Sequence, residues 1–232
     1  MVKSNVISAT NANRLFWLGR YEERVHLTLH LLRKCYDAMI DGKPNDYNNF
    51  WQKLDICGNY ATNEDFTMGM MYDEKNPSSV LSAQICAQDN AMMLRAYIAT
   101  ETLAYLEMSV ALMKRLKERK ETNIIALQPV TDWSLAFWGS ADERVTHANV
   151  MTLMNIGRKI ESIDILTRFD YPYERIRHVY DCLRQLLTGI PNSIDPNILT
   201  QLDKMLTPEA FNLEDAGYKA KLIKLTNILI RV

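Results

Sequence analysis

Two stretches of this sequence match each other and decide the fold: Leu18-Gly19-Arg20-Tyr21-Glu22-Glu23 and Ile156-Gly157-Arg158-Lys159-Ile160-Glu161. Both contain the pattern Gly-Arg-x-x-Glu, and each residue of the second stretch follows its counterpart by 138 positions. The apolar residues around the two stretches recur at helical spacing and match at the same offset. A shared motif on a shared apolar stripe predicts two structurally equivalent helices.

The glycine in each motif needs a structural reason. Glycine inside a helix costs about 1 kcal/mol relative to alanine. We expect Gly19 and Gly157 to leave notches where another backbone or a ligand approaches closely. Glu22 interrupts the apolar stripe of the first motif, at the position that Ile160 occupies in the second.

The charged residues of the motif lie beside the notch. Glu23 and Glu161 come four residues after the glycines, on the same helix face. Arg20 and Arg158 precede them by three residues, so the spacing predicts an Arg–Glu ion pair within each helix. Two interpretations remain open: the unit locks helix packing through partly buried ion pairs, or both units converge on a shared polar cavity that binds a ligand.

The remaining sequence predicts an all-α fold, a single-domain multi-helix bundle spanning residues 1–232 whose two long helices are pseudo-equivalent. Only 8 glycines and 7 prolines are present, and no segment has the pattern of a strand. Helices are predicted over about 11–41, 46–57, 63–73, 80–119 with a kink near 100, 133–139, 141–169, 173–187, 196–206 and 213–230.

Capping and breaking residues set these boundaries. Thr10 or Asn11 is predicted to cap the first helix, and Gly42-Lys43-Pro44 to end it. Gly58 is predicted to end the second helix. Ser78 is predicted to cap the helix from Val80, and Pro129 to interrupt the helical pattern. Gly139 is predicted to separate a short helix from the second long one.

Composition excludes several classes of function. The net charge is −1, from 27 basic and 28 acidic residues, so we expect no nucleic-acid or membrane partner. No apolar run approaches the ~20 residues of a membrane span, and no signal peptide is recognisable. Cys35, Cys57, Cys86 and Cys182 are far apart, which predicts four buried thiols in a reducing cytoplasm.

Four segments, in a fixed order, carry a resemblance to a known family. They are Asn13–Arg24, Asn76–Ser82, Asp89–Glu101 and Ile156–Arg168. Together they resemble the Alpha-E family of bacterial all-α domains, whose opening motif has the form Leu-Tyr-Trp-Leu-Gly-Arg-Tyr-x-Glu-Arg, over most of residues 9–170. The chain departs from the family pattern at Ser162, which replaces an arginine, and at His26 and His30, which replace an acid and an arginine.

The resemblance implies a setting rather than a reaction. Alpha-E domains are encoded beside, or fused to, circularly permuted ATP-grasp proteins, and transglutaminase-like peptidases often neighbour them. The implied setting is ATP-dependent amide-bond formation or peptide modification. Since this chain has no Gly-rich phosphate loop, ATP binding would belong to the partner, and we expect no cofactor.

The motifs and the resemblance together give a candidate polar cavity, flanked by the structural notches Gly19 and Gly157. Its predicted lining consists of charged and amide residues within the quoted segments. They are Arg20, Glu23, Arg24, Asn90, Arg95, Glu101, Arg158, Glu161, Asp164 and Arg168. No catalytic set is complete. A carboxylate-rich metal site using Glu23, His26 and Glu161 is an alternative, because Glu23 and His26 have the E-x-x-H spacing of di-iron bundles.

Three functions follow from these observations. The leading hypothesis is an accessory module that binds a partner protein, of the ATP-grasp or transglutaminase-like class, or a peptide ligand. The first alternative is an enzyme that uses the Glu, Asp and Arg cluster, with or without a metal. The second alternative is a purely structural oligomerisation bundle.

Overall fold

The computed structural model of the chain describes residues 7–41, 47–54 and 60–231. All of the regular structure in these residues is helical, apart from one isolated bridge between Ile194 and Ile230. Short 3-10 turns lie at Ile124–Leu127 and Pro191–Ser193. The helices are α1 Ala9–Ile40, α2 Tyr47–Lys53, α3 Asn63–Tyr72, α4 Val80–Met93, α5 Thr100–Glu118, α6 Gln128–Arg144, α7 Ala148–Arg168, α8 Tyr173–Leu187, α9 Pro196–Met205 and α10 Ala216–Asn227.

Helices α1 and α7 are the two predicted equivalents, and they pack side by side and parallel. A Cβ atom added at Gly19 would lie less than 3.0 Å from the carbonyl oxygen of Met154, and one added at Gly157 would lie equally close to that of Phe16. Near the other end of the pair, Lys34 Nζ donates to the hydroxyl of Tyr171 at 3.3 Å. Residues at matching positions of the repeat therefore lie level with each other along the pair.

The two glycine contacts are reciprocal. Met154 follows Phe16 by the same 138 positions that separate Gly157 from Gly19. Each helix therefore places its glycine against a backbone carbonyl of the other, at equivalent positions. This is the arrangement expected of two equivalent elements related by a local twofold axis. The predicted notches are confirmed, and what each notch admits is the backbone of the partner helix.

The apolar core is built around this pair. Buried hydrophobic residues form three clusters, and among the described helices only α1 and α7 contribute to all three. One cluster joins them to α2, α3, α4, α5 and α6, a second to α8, α9 and α10, and a third to α4, α5 and α6. Helix α7 is buried along most of its second half, from Ile160 to Thr167. A helix covered on all sides is typical of the centre of a bundle.

The boundary before α7 differs from the prediction. Helix α6 runs without interruption from Gln128 to Arg144, so the predicted break at Pro129 and the predicted end at Gly139 are both wrong. Pro129 lies in the first turn, where a missing N–H costs nothing. An added Cβ at Gly139 would meet open space, and the helical residues on both sides of Gly139 continue the helix through it. The break falls instead at Val145-Thr146-His147, and α7 begins at Ala148.

Other predicted boundaries shift by a few residues. Helix α1 begins at Ala9, where the hydroxyl of Ser8 accepts from Asn11 N–H, so Thr10 and Asn11 are not the caps. The cap of α4 is Ser79 rather than Ser78, because the Ser79 side chain accepts from Ser82 N–H. The predicted kink near Thr100 is a full break between α4 and α5.

The cysteine prediction is only partly confirmed. Cys35 is a buried free thiol, whereas Cys86 and Cys182 are half-buried free thiols. Cys57 and the helix-ending residues Gly42-Lys43-Pro44 and Gly58 lie outside the described residues. Across the described part of the chain, no helix combines the length and apolarity needed to cross a membrane.

Replacing the notch glycines tests the packing directly. We expect Gly19→Ala to lower the free energy of unfolding by about 3 kcal/mol or more, because the added methyl group would push against a backbone carbonyl that cannot retreat. Urea denaturation of the purified protein measures this change.

Gly139→Ala is the matched control, since Gly139 is also inside a helix but nothing lies within 4 Å of an added Cβ. This variant should be about 0.5–1 kcal/mol more stable than the wild type, through helix propensity alone. Equal effects of the two substitutions would contradict the close approach of α1 and α7.

Candidate functional site

The charged residues of the two motifs meet between α1 and α7. Arg20 Nε donates to Glu161 Oε2 at 2.7 Å, and Arg158 Nε donates to Glu23 Oε2 at 2.9 Å. The two pairs are equivalent under the 138-residue offset. Arg20, Glu23 and Glu161 are buried, and Arg158 is half-buried. The repeated motif therefore produces a twofold set of ion pairs inside the molecule.

The predicted pairing within each helix is wrong. Arg20 was expected to bind Glu23, and Arg158 to bind Glu161, but each arginine binds the glutamate of the opposite helix. The glycine contacts explain this choice. They bring the two backbones close enough that a side chain reaches across the interface, where little water competes for its charge. The ion pairs consequently join the two helices instead of bracing each one.

Each glutamate accepts a hydrogen bond from a second donor, and this donor differs between the two motifs. Arg24 Nε donates to Glu161 Oε1 at 2.5 Å. The counterpart of Arg24 is Ser162, whose hydroxyl donates to Glu23 Oε1 at 2.5 Å. Glu161 thus receives two guanidinium groups. Burial alone raises the pKa of Glu161, but Arg24 and Arg20 outweigh it and hold the pKa below its ordinary value.

Asp164 and Arg168 extend the cluster along α7. They form an ion pair one turn apart, and the second carboxylate oxygen of Asp164 accepts from Asn227 Nδ2 at 2.5 Å. Arg168 also donates through Nη1 to the carbonyl of Lys53 at 3.3 Å. The equivalent positions of α1 hold His26 and His30, so this extension is present in the second half only.

Aromatic rings cover the arginines of both motifs. The Arg20 guanidinium lies 4.9 Å from the ring centre of Trp17, and the Arg158 guanidinium lies 4.4 Å from that of Trp138. Cation–π contacts at such distances contribute about 0.5–2 kcal/mol each, more when water is excluded. The contact of Trp138 with Arg158 could not be predicted from the motifs, because Trp138 belongs to α6.

A polar cavity of about 140 Å³ opens beside the Glu161 half of the cluster. Four of the predicted site residues line it: Arg24, Glu161, Asp164 and Arg168. Its other walls come from α1, from the residue after the end of α2, from the segment that leads into α4 and from α7. Those walls are Thr28, Leu54, Pro77, Ser78 and Ile165. Pro77 and Ser78 belong to the segment Asn76–Ser82, so three of the four segments that carry the family resemblance meet at one cavity.

Three predicted site residues do not join this cluster. Arg95 is exposed. Glu101 is also exposed and pairs with Arg144 at 3.6 Å. Asn90 donates from its side chain to the carbonyl of Cys86 in its own helix. All three belong to one segment of the family resemblance, and that segment covers the end of α4, the break after it and the start of α5.

Two of the three proposed metal ligands, Glu23 and Glu161, are engaged in other contacts. Glu23 and Glu161 each accept from an arginine of the opposite helix, and His26 lies one turn beyond Glu23 on α1. Within residues 7–41, 47–54 and 60–231, no group of three or more His, Cys, Asp or Glu side chains is placed to hold a metal ion.

Glu22, which interrupts the apolar stripe of the first motif, is a buried carboxyl group. It is fully buried and accepts from Gln84 Nε2 at 2.9 Å and from the Ser134 hydroxyl at 3.2 Å. Burial raises its pKa to about 7, against the smaller opposing effect of these two hydrogen bonds. The signal was present in the sequence, because an acid at a position equivalent to Ile160 is expected to face the core.

Comparison with known proteins gives one match. The model of the Alpha-E family, described as a predicted alpha-helical domain with a conserved ER motif, matches residues 7–181. Glu23 and Arg24, which are consecutive and both belong to the cluster, form such a Glu-Arg pair. No curated protein and no solved structure matches the chain.

Neutralising Glu161 should destabilise the fold strongly near neutral pH. Glu161→Gln would leave Arg20 and Arg24 facing an uncharged amide, at a cost of about 3 kcal/mol or more in the free energy of unfolding. Because the folded pKa is lowered, the stabilisation is full above the unfolded pKa and is lost as pH falls through the folded value. Glu101→Gln, at an exposed ion pair, is the control and should stay within about 0.5 kcal/mol of wild type. A matching loss in both variants at pH 7 would contradict the buried network.

Neutralising Glu22 should have the opposite dependence on pH. The raised pKa means that the folded state keeps this proton up to about pH 7, whereas an unfolded glutamate loses it near its ordinary pKa of 4.5. Its contribution to stability is therefore full below that unfolded value and declines as pH rises to about 7. Relative to wild type, Glu22→Gln should gain about 3 kcal/mol between pH 4.5 and pH 8 in urea denaturation. A difference between the two proteins that does not change with pH would refute the raised pKa.

Proposed function

This chain belongs to the Alpha-E family, and we propose that it is a cytoplasmic accessory module of an ATP-grasp-linked peptide ligation or modification system. In this role it binds a peptide, or a peptide segment of a partner protein, and does not itself catalyse a reaction. The setting comes from the resemblance of its motifs to that family, and the mode of binding comes from the cavity beside Glu161.

The observation that carries this proposal is that the carboxylate oxygens in the cavity already accept hydrogen bonds from protein side chains. Both oxygens of Glu161 accept from arginines, and both oxygens of Asp164 accept from Arg168 and Asn227. A general acid or base needs a carboxyl group that can exchange a proton near neutral pH. The lowered pKa of Glu161 works against that role. The cluster is therefore suited to holding a fixed arrangement of charge and not to transferring protons, which disfavours the enzyme alternative.

The chemistry of the ligand follows from what the cavity offers. Arg24 lines it and, among the described residues, uses only Nε for hydrogen bonding, so its terminal nitrogens are available for a ligand carboxylate. Arginine binds carboxylates in a bidentate manner. At about 140 Å³ the cavity is smaller than the 300–1,000 Å³ typical of sites for whole drug-sized ligands, so it accommodates one terminal residue of a peptide.

Co-purification tests the proposal at the level of the partner. The tagged chain, co-expressed with the ATP-grasp protein encoded beside it, should retain that protein on an affinity column. Arg24→Gln and the milder Thr28→Val should reduce retention, while Lys114→Gln, an exposed position on α5, should not. Failure to retain any ATP-grasp or transglutaminase-like protein would contradict the proposed partner, and retention unaffected by Arg24→Gln would contradict the proposed site.

Peptide titration tests the cavity itself. Tripeptides of mixed sequence with free carboxyl termini should shift the amide NMR signals of residues around Thr28, Ser78 and Asp164. The same peptides with amidated termini should not, because the carboxylate is the group that Arg24 recognises. Shifts of equal size with both sets would show that the carboxylate is not recognised.

A further inference from the structure

A second and larger cavity lies at the other side of Arg168, where the ends of α2 and α7 meet α10. It has a volume of about 520 Å³, within the range typical of small-molecule sites. Its lining combines cations with small and apolar side chains. The lining residues are Gln52, Lys53, Arg168, Ala216, Lys219, Ala220, Ile223 and Lys224. The candidate peptide cavity shares only Arg168 with it.

All charged side chains in the described lining of this cavity are positive. Lys53, Arg168, Lys219 and Lys224 contribute four cations, and no acidic residue is among the described residues of the lining. These four cations come from three helices. Helix α2 supplies Lys53, α7 supplies Arg168, and α10 supplies Lys219 and Lys224. The tertiary fold therefore assembles this charge, which is not concentrated in any one segment of the sequence.

Nearby acids compensate only part of the charge. Asp170 accepts from Lys53 at 2.9 Å and from Lys219 at 2.6 Å, and Asp164 pairs with Arg168. Asp215 accepts from Gly217 N–H at the start of α10. The side chain of Lys224 makes no hydrogen bond or ion pair with the described residues. The cavity consequently presents one uncompensated lysine beside three cations that are already held in position.

Helix α10 gives the cavity an apolar wall between the charges. Ala216, Ala220 and Ile223 recur at helical spacing, and Lys219 and Lys224 lie on the same face. Ala216 and Ala220 are exposed, and Ile223 is half-buried. A face that alternates methyl groups with lysines suits a ligand that has both an anionic group and a hydrocarbon or ring portion.

We propose that this cavity binds a phosphate-bearing small molecule, with Lys224, Lys219 and Lys53 around the phosphate and the α10 face against the rest of the ligand. Lysines favour phosphate here because they act as point charges for its oxygens. Bidentate recognition of a carboxylate needs a free arginine fork. Arg168 does not provide one, since its Nε and Nη1 already donate to Asp164 and to the carbonyl of Lys53.

This site is separate from the proposed peptide site and does not depend on it. The α10 residues lie beyond the segment 7–181 that matches the family, so the family match does not account for the cavity. The two proposals can fail independently. Arg24→Gln should weaken peptide binding and leave phosphate binding unchanged, whereas Lys224→Glu should do the reverse.

Calorimetric titration with inorganic pyrophosphate, at constant ionic strength, tests the site. We expect saturable binding of one pyrophosphate per chain, with NMR shifts confined to residues near Lys53, Asp170 and the α10 face. Lys224→Gln should raise the Kd about threefold to tenfold, and Lys224→Glu more than tenfold, because a charge beside the ligand is removed or reversed. Lys114→Glu, the same charge change on the exposed face of α5, should leave the Kd within about twofold. Since Lys224 has no described partner, its variants should keep the wild-type fold.

Further arms identify the source of the phosphate and exclude the other class of anion. Sedimentation with phosphatidylcholine vesicles containing phosphatidic acid, abolished by Lys224→Glu, would support the site and assign it to a lipid headgroup. Pyrophosphate binding without sedimentation would support it and assign it to a soluble molecule. Tighter binding of a tetraglutamate peptide than of pyrophosphate would overturn the proposal. Equal losses with Lys224→Glu and Lys114→Glu, or no binding in either arm, would also overturn it.

Discussion

The backbone contact between two glycines and two carbonyl groups is the constraint on which this structure depends. Gly19 lies against Met154 and Gly157 against Phe16, so the backbones of α1 and α7 are in direct contact at both glycines. Both helices then reach all three apolar clusters of the core. The same approach places Arg20 and Arg158 within reach of the opposite glutamates. Close packing and charge pairing therefore have one cause, and a change in either glycine affects both.

The local twofold symmetry is broken where the candidate peptide site lies. Arg24, Asp164 and Arg168 surround the cavity beside Glu161. At the equivalent positions around Glu23 the chain has Ser162, His26 and His30, and Leu166 stands in place of Thr28. One half of the repeat thus supplies structure alone, while the other half keeps the charged groups that face a cavity. This division agrees with a binding module in which a duplicated packing unit supports a single site.

The repeat could be predicted from the sequence because glycine, arginine and glutamate recur at a constant offset on matching apolar stripes. That pattern correctly predicted two equivalent helices, and the scarcity of glycine and proline predicted the all-α fold. The pattern left open whether the charged residues lock helix packing or converge on a shared cavity, and the structure brings Arg20, Glu23, Arg158 and Glu161 together between α1 and α7. It could not predict that the ion pairs cross between helices, because residue spacing describes one helix and gives no information on its neighbour.

Other misses have equally physical causes. Gly139 is predicted to end a helix, but α6 continues through it because the helical residues on both sides outweigh the local preference of glycine. Asn90, Arg95 and Glu101 are predicted through the family resemblance, which does not specify which face of α4 or α5 meets α1. The basic cavity combines α2, α7 and α10, so no local motif could reveal it. A double-mutant cycle by urea denaturation is the most direct test of the central claim that the arginines pair across the two helices. The coupling between Arg20→Met and Glu161→Gln should exceed that between Arg20→Met and Glu23→Gln by about 1 kcal/mol or more. An equal or larger coupling within α1 would contradict the account.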